Sequence, residues 1–387
     1  MSQLRLENFG QIRQADIHFG DLTVFVGPQA TGKSVFLQLV KLLIDAGPVL
    51  QEFRRYNIDW RPHLTNFLDL YFGEGMSSIF DPEKTRIVWN QRSIDMGALL
   101  KGKKSRAEKV FLIPAQRVLA LREGLTRPFT DYRSGDPFSV REFSERLHHL
   151  VQSEFSKGTE LFPVNNRLKE SFRKKIGESI FGDFGLQTDP KQFEKRLVLS
   201  TGDKKPTLPY LVWSAGQREF VPLLLGFYWL MPPGKVPKRG KLEWVMIEEL
   251  EMGLHPQAIT TTLLLVMELI ERGYKVCLTT HSPHVLDLVW ALQAMREHGG
   301  KSSDFLKLFK LPSTPATKKL AARAISASTA VYYFPRTGEV KNISSLDPGA
   351  TDPIEADWGG LNEFSGDTNA VIAEIMNRPK ERSHDSI

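Results

Sequence analysis

Between residues 3 and 27 the apolar side chains alternate or cluster in three short runs, LRLEN, ADIHF and LTVFV. Gly10 and Gly20 break them, and the pattern predicts three strands. From Lys33 to Ala46 apolar positions crowd as they do in a buried helix, which should stop at Gly47-Pro48. RIVWN and KVFLIPAQ read as further strands. From about 118 to 200 the chain turns polar and basic, and FSVREFSERLHHLVQSEF and NRLKESFRKKIGESI read as two amphipathic helices. The dense apolar pattern returns at Leu208. LEWVMIEE is a strand, HPQAITTTLLLVMELIERG a helix, YKVCLTT a strand and PHVLDLVWALQAMREHG a helix. Strands alternating with helices imply parallel pairing with crossover connections. AVYYFPRTGEVKNI predicts a hairpin turning at Thr337-Gly338, and a last helix follows near residues 367–377. Residues 311–319 read as a loose stretch.

The expected fold class is therefore α/β, with one core built from both ends of the chain. Residues 1–117 form its first part, 118–205 a mainly helical basic insertion and 206–300 its second part. Residues 301–387 add a hairpin and helix that complete the core or dock a partner. Composition is ordinary for a folded chain, with 41% hydrophobic and 25% charged residues. No apolar run has the length of a membrane span, and MSQLRLENFG carries no apolar leader, so a cytoplasmic protein with no membrane partner is expected. The lone Cys277 excludes an internal disulfide and reads as a core thiol. A net charge of +6 fits a polyanionic ligand without choosing between nucleotide and nucleic acid.

Candidate chemistry begins at Gly27-Pro28-Gln29-Ala30-Thr31-Gly32-Lys33-Ser34, which fits the phosphate-loop pattern G-x-x-x-x-G-K-[ST]. Glycines let backbone N–H groups close around phosphate oxygens. Lys33 then reaches the β- and γ-phosphates, Ser34 coordinates Mg²⁺, and the helix start adds its positive end. The loop lies between a strand and a helix, as that chemistry requires. Trp244 to Ile247 forms an apolar strand ending in Glu248 and Glu249, one carboxylate for the metal side and one to polarise an attacking water. Ser214-Ala215-Gly216-Gln217 opens a helix and presents a hydroxyl and free N–H groups to an anion. His281, in LTTHSP, ends a strand where it can contact a γ-phosphate.

In order and combination these residues resemble the ATP-binding-cassette (ABC) superfamily, in its SMC, Rad50, RecF and OLD branch. LRLENFGQIRQADIHFGDLTVFVGPQATGKS is similar to that branch's opening strands and phosphate loop, SAGQ to its signature and VMIEELEMGLHP to its carboxylate strand and E-x-x-LHP stretch. TTHSP resembles the switch-histidine strand, and FLIPAQ resembles the strand ending in the glutamine loop. The resemblance implies an ATPase that uses ATP and Mg²⁺. Glu249, His281 and Gln116 would serve catalysis; Ser34, Glu248 and Gln116 would serve the metal; Ser214, Gly216 and Gln217 would bind the ATP held by a second copy. Glu248 replaces the usual aspartate, Trp213 the leucine and Ala215 a glycine of the signature, which points to slow hydrolysis.

Only 181 residues separate Lys33 from Ser214, and sustained heptads are absent, which excludes a long-armed coiled-coil member. The E-x-x-LHP stretch resembles compact ATPases of prokaryotic anti-phage systems (OLD-like, Septu-type or PARIS-type). It implies a sensor or regulatory subunit that pairs with itself and controls a separate effector, a nuclease among the candidates. A RecF-like repair ATPase and a hydrolysis-poor nucleotide-dependent scaffold are the alternatives. Nucleic acid is a further candidate partner, through Lys101, Lys103, Lys104, Arg106 and Arg167, Lys169, Arg173, Lys174, Lys175. The late acidic residues Asp347, Asp352, Glu355, Asp357, Glu363 and Asp367 lack the strand-end spacing of a two-metal nuclease, and His384 and Asp385 fall in a polar tail.

Overall fold

The computed structural model describes residues 2–61, 63–101, 105, 107–155, 160–189, 194–201, 207–234 and 236–377. Lys103, Lys104, Arg106, His384 and Asp385 lie outside the described residues.

Six strands form the central sheet: β1 (Leu22–Val26), β2 (Val110–Ile113), β3 (Trp244–Ile247), β4 (Lys275–Thr280), β5 (Thr329–Tyr333) and β6 (Lys341–Asn342). Their spatial order is β6-β5-β1-β4-β3-β2. All pairings are parallel except that of β6 with β5. The α/β class expected from the alternating pattern is the fold observed, and the core does draw strands from both ends of the chain. The predicted hairpin is present. Less legible was its parallel pairing with β1, which sets Thr329–Tyr333 against the strand that leads into the phosphate loop.

Strand side chains alternate between two faces. Leu22, Val24, Val26, Phe111, Ile113, Val245, Ile247, Val276 and Leu278 face one core, shared with α4 (Ala215–Leu230), α5 (Pro256–Glu271) and α6 (Pro283–Glu297). Phe25, Leu112, Trp244, Met246 and Cys277 face the other, under α1 (Lys33–Arg55). Cys277 is buried, as its setting in the sequence implied. On this second face Phe25, Phe36 and Phe334 meet edge to face at 5.2–5.6 Å, contacts each worth about 0.5–1.5 kcal/mol beyond their buried area. An antiparallel sheet of Ile12–His18, Gln3–Phe9, Arg86–Trp89 and Arg92–Ser93 closes that side.

The helix expected to stop at Gly47-Pro48 instead continues to Arg55. It kinks at Asp45 (φ −113°, ψ 27°). Pro48 has no N–H for the turn before it. The Asp45 carboxylate leaves the helix pattern to accept Lys109 N–H and Val110 N–H, both at 2.9 Å. Long-range partners thus hold a bend that a local rule reads as an end. By length and apolar content α1 resembles a membrane span, yet most of it is buried inside the protein.

The region expected to be mainly helical carries its two helices, α2 (Phe138–His149) and α3 (Glu170–Ile176). Each runs on into a wider π turn. It also holds three strands of an antiparallel sheet, Leu197–Ser200, Gly185–Thr188 and Glu160–Phe162, completed by Leu208–Pro209 just beyond it, which the polar sequence did not announce. Its apolar residues Leu161, Phe172, Phe181 and Leu199 join the same cluster as α4 and α5. The loose stretch at 311–319 contains the start of α7 (Pro315–Ser326), where Thr314 Oγ1 accepts Thr317 N–H. The last helix, α8, spans Glu363–Asn377.

Candidate functional site

In a parallel sheet every strand ends on the same edge, and ligands bind outside those carboxyl ends. Here β1 runs into Gly27, β2 into Ala115-Gln116-Arg117, β3 into Glu248-Glu249 and β4 into His281. Sheet topology alone brings four separate sequence segments together. Gln29 to Ser34, Glu249, Thr279, His281 and Gln11 line the resulting crevice.

Gly27 has φ +139°, and a Cβ there would sit 2.3 Å from the Phe334 carbonyl, so no other residue fits without moving β5. Lys33 Nζ donates to Gly27 O (2.8 Å) and Pro28 O (2.6 Å). Burial lowers the Lys33 pKa to about 8, while Glu249 and Glu251 pull it back up. A phosphate in the loop would supply the missing counter-charge. α1 begins at Lys33, so its free N–H groups and positive end face the same space.

Glu248 is 1% exposed. Burial, helped by the neighbouring Glu249 charge, pushes its pKa up to about 7 against the pull of Ala115 N–H, the Ser34 hydroxyl and Arg117. Glu248 Oε2 accepts Ala115 N–H at 3.1 Å, and Oε1 is buried without a hydrogen-bond partner. A buried carboxylate oxygen left free beside a serine hydroxyl suits a hard divalent cation, directly or through water. The donor set therefore fits Mg²⁺.

Glu249 stands in the left-handed region (φ +44°), rare for a glutamate. Its N–H donates to Thr279 Oγ1 at 2.9 Å. His281 Nε2 lies 3.9 Å from Glu249 Oε1. Burial and the nearby Lys33 charge lower the His281 pKa, against the opposing pull of Glu249 and Glu251, and so favour the neutral imidazole. Glu251 Oε1 accepts the His281 backbone N–H. The structure thus adds Glu251, Thr279 and Gln11 to the group foreseen. Glu251 lay inside the EELE segment, Thr279 opens TTHSP and Gln11 follows Gly10 in the opening strands, so all three fall in the segments singled out by sequence, though none was picked as a site residue.

Gln116 and the signature residues stand apart from this group. The Gln116 side chain is exposed and does not line the crevice; the residue beside it, Arg117, points inward and is fully buried. Ser214 caps α4 in a two-way box: Gln217 N–H donates to Ser214 Oγ (3.2 Å), and Ser214 N–H donates to Gln217 Oε1 (3.0 Å). Gln217 Nε2 donates to Ile180 O, and Gly216 packs against the Gly253 carbonyl. Trp213, which replaces the expected leucine, is buried and donates from its indole to Leu208 O at 2.9 Å. It fastens the signature to the insertion's sheet. None of these residues lines the crevice of its own chain.

The basic run at 167–175 is largely occupied. Arg167 is buried against Tyr228 O and Glu154. Lys169 pairs with Glu268, and Arg173 donates to Asn165 O and Leu168 O. Lys174, 3.9 Å from Glu178, and Lys175 line a cleft with Lys310. Of the late acids, Asp352 caps Ile354 N–H and pairs with Lys341, and Asp347 accepts Gly349 N–H.

Two family models match the chain. One, described as "AAA domain, putative AbiEii toxin, Type IV TA system", covers residues 133–287. The other, described as an AAA ATPase domain, covers residues 1–105. The two matched stretches lie on the two sides of the crevice. The first part of the chain brings the phosphate loop, and the later part brings Ser214, Glu248, Glu249 and His281. No curated protein matches. Among solved structures, the SMC head bound to the C-winged helix domain of ScpA is 11% identical with a TM-score of 0.40, over 88% of this chain and 95% of that one. The SMC head domain from Thermotoga maritima is 14% identical with a TM-score of 0.32, over 74% and 90%. The recombination mediator RecF with ATP is 10% identical with a TM-score of 0.36, over 88% and 98%. The fold assignment rests on the strand order above, not on these likenesses.

Proposed function

We propose that this chain is a Mg-ATP-binding ATPase that pairs with a second copy around ATP and hydrolyses it slowly. The observation that carries the reading is the meeting of Lys33, Ser34, Glu248, Glu249 and His281 at one edge of a parallel sheet. The N–H groups of the phosphate loop and Lys33 hold the β- and γ-phosphates. Ser34 and Glu248 hold Mg²⁺, which when bound neutralises charge on those phosphates. Glu249 orients and polarises the attacking water, and His281 contacts the γ-phosphate. Ser214, Gly216 and Gln217 lie off their own crevice, which supports their engaging the nucleotide of the partner copy. Gln116 fits a contact to the water or metal only if its loop turns inward.

We further propose a sensor or regulatory role in a prokaryotic anti-phage defence system, with the output made by a separate effector protein. The description of the model matching 133–287, a putative toxin of a type IV toxin–antitoxin system, supports such a setting over transport. The test of the ATPase is phosphate release with Mg-ATP, with assembly followed by light scattering. Glu249→Gln should bind ATP, stop turnover and accumulate a dimer or larger assembly. A Glu249→Gln protein that stays monomeric and hydrolyses normally would sink the assignment. The test of the separate effector is to offer the pure chain DNA and RNA with Mg²⁺ or Mn²⁺ and ATP. Cleavage that vanishes when Asp347, Asp352, Glu355 and Asp357 are neutralised would overturn it.

A further inference from the structure

Arg117 is among the largest fully buried side chains of the described residues. Burying a guanidinium costs several kcal/mol unless every donor is used, so what it holds is informative. Nη1 donates to Glu248 O at 3.1 Å and to Glu249 O at 3.2 Å. Nη2 donates to Glu249 O at 3.2 Å and lies 3.5 Å from Met252 O. Nε donates to Glu219 O at 3.3 Å and lies 3.4 Å from the Glu219 carboxylate, on the first turns of α4. One side chain therefore grips the carboxylate turn with its fork and the signature helix with its Nε.

The gripped peptide is the strained one. With φ at +44°, Glu249 sits in a conformation that costs of order 1 kcal/mol or more for a residue with a Cβ. It persists because its N–H is fixed by Thr279 and its carbonyl by both arms of Arg117. Release of the carbonyl would let the residue relax and swing its carboxylate off the phosphate loop. The same turn touches α4 directly: a Cβ on Gly253 would sit 2.8 Å from Glu219 Cγ. Ser214, which caps α4, is five residues from Glu219, the residue that Arg117 holds.

We propose that Arg117 is a positioning residue that couples the signature helix to Glu249 of the same chain. When Ser214 engages the nucleotide of the second copy, displacement of α4 reaches Glu219, then Arg117, then the Glu249 carbonyl. Hydrolysis in one site thereby depends on whether that chain's signature is occupied. This rests on the ATPase reading above, and the two are separable by experiment.

Arg117→Lys keeps the charge and most of the volume but loses the fork. Its expected phenotype is ATP affinity within about threefold of wild type, retained ATP-driven assembly, and turnover lowered about 10- to 100-fold, the scale of a misplaced catalytic group. Turnover within threefold of wild type overturns the proposal. So does a loss of rate that merely follows a loss of ATP binding or of folded protein, which is what a structural arginine would give. Glu219→Gln is the second arm, read by hydrogen exchange of the 248–253 amides with and without ATP. Wild type should gain protection there on adding ATP, and Glu219→Gln should gain much less. Equal gains in both, or none in wild type, overturn the coupling. If wild type releases no phosphate, the hydrolase reading fails while the exchange experiment still decides the clamp.

Discussion

The phosphate loop and the carboxylate turn face each other across the crevice, and they are held in opposite ways. Inside the loop the bonds are local: Lys33 reaches back to Gly27 and Pro28, and Thr31 Oγ1 donates to Pro28 O. The turn from Glu248 to Gly253 is held from afar, by Ala115, Arg117, Thr279 and the Glu251–His281 link. A locally closed loop can form as soon as its strand and helix do, and waits for phosphate to complete it. A turn fastened by distant partners keeps one geometry only while all of them stay in place, which suits a group that must be aimed.

The comparison is broken most severely at the aimed end. Glu249→Gln should lower phosphate release about 100- to 1,000-fold with ATP binding intact, the usual span for loss of a general base. Turnover and nucleotide affinity, measured on the same preparation, separate those effects, and a parallel fall in both would remove Glu249 from its role. Lys33→Ala acts on the waiting end instead. It should weaken ATP binding by roughly 100-fold, about 2.7 kcal/mol of charge-assisted contact, and abolish ATP-driven assembly. Titration calorimetry reads the first and light scattering the second; unaltered affinity would mean the loop does not hold phosphate.

Gly27 is the place where the contrast is not clean. Its position is fixed from outside by the Phe334 carbonyl, whose own N–H is bonded to Val26 O at 2.8 Å. Gly27→Ala should therefore cost roughly 2 kcal/mol of fold stability in addition to nucleotide binding. A denaturant midpoint equal to wild type would show that β5 yields easily.

How much could be read in advance follows the same division. Lys33, Ser34 and the strand–loop–helix around them were legible because one continuous segment contains everything the loop needs. Glu248, Glu249 and His281 were legible as strand ends, once parallel pairing was inferred from the alternation of strands and helices. Arg117 was not, because its partners lie more than a hundred residues away and a single arginine after a strand carries no pattern. The sequence signal lay on its neighbour Gln116, whose side chain is exposed. The bend at Asp45 was hidden for the same reason, since Gly47-Pro48 signals a stop and only the amides of Lys109 and Val110 explain the continuation. The sheet at 160–209 was hidden by its brevity: strands of two to four residues in a polar context leave no period to detect.

One long-range anchor does serve the phosphate-loop side, two turns into α1, and it gives the mildest test. Lys41 is fully buried, donates to Val110 O at 2.8 Å and pairs with Asp45, Glu108 and Glu142, while Arg146 pairs with Glu108 and Glu142. Acids outnumber bases there. Burial, reinforced by Glu142, pushes the Glu108 pKa up to about 7, although Lys41 and Arg146 pull it down. Asp45 and Glu52 are raised in the same direction, chiefly by burial. A carboxyl raised in the folded state keeps its full stabilising contribution below the unfolded pKa, near 4.3. That contribution is lost as pH climbs through the folded value, because the unfolded chain releases the proton first. Nucleotide-free protein should thus lose stability between about pH 4.5 and 7 from this cluster. Glu108→Gln, which cannot ionise, should gain on wild type by about 2 kcal/mol when both are moved from pH 5 to pH 7.5. Urea unfolding at the two pH values measures it. A stability difference between variant and wild type that does not change with pH would mean that Glu108 is already ionised in the fold, its charge neutralised by Lys41 and Arg146.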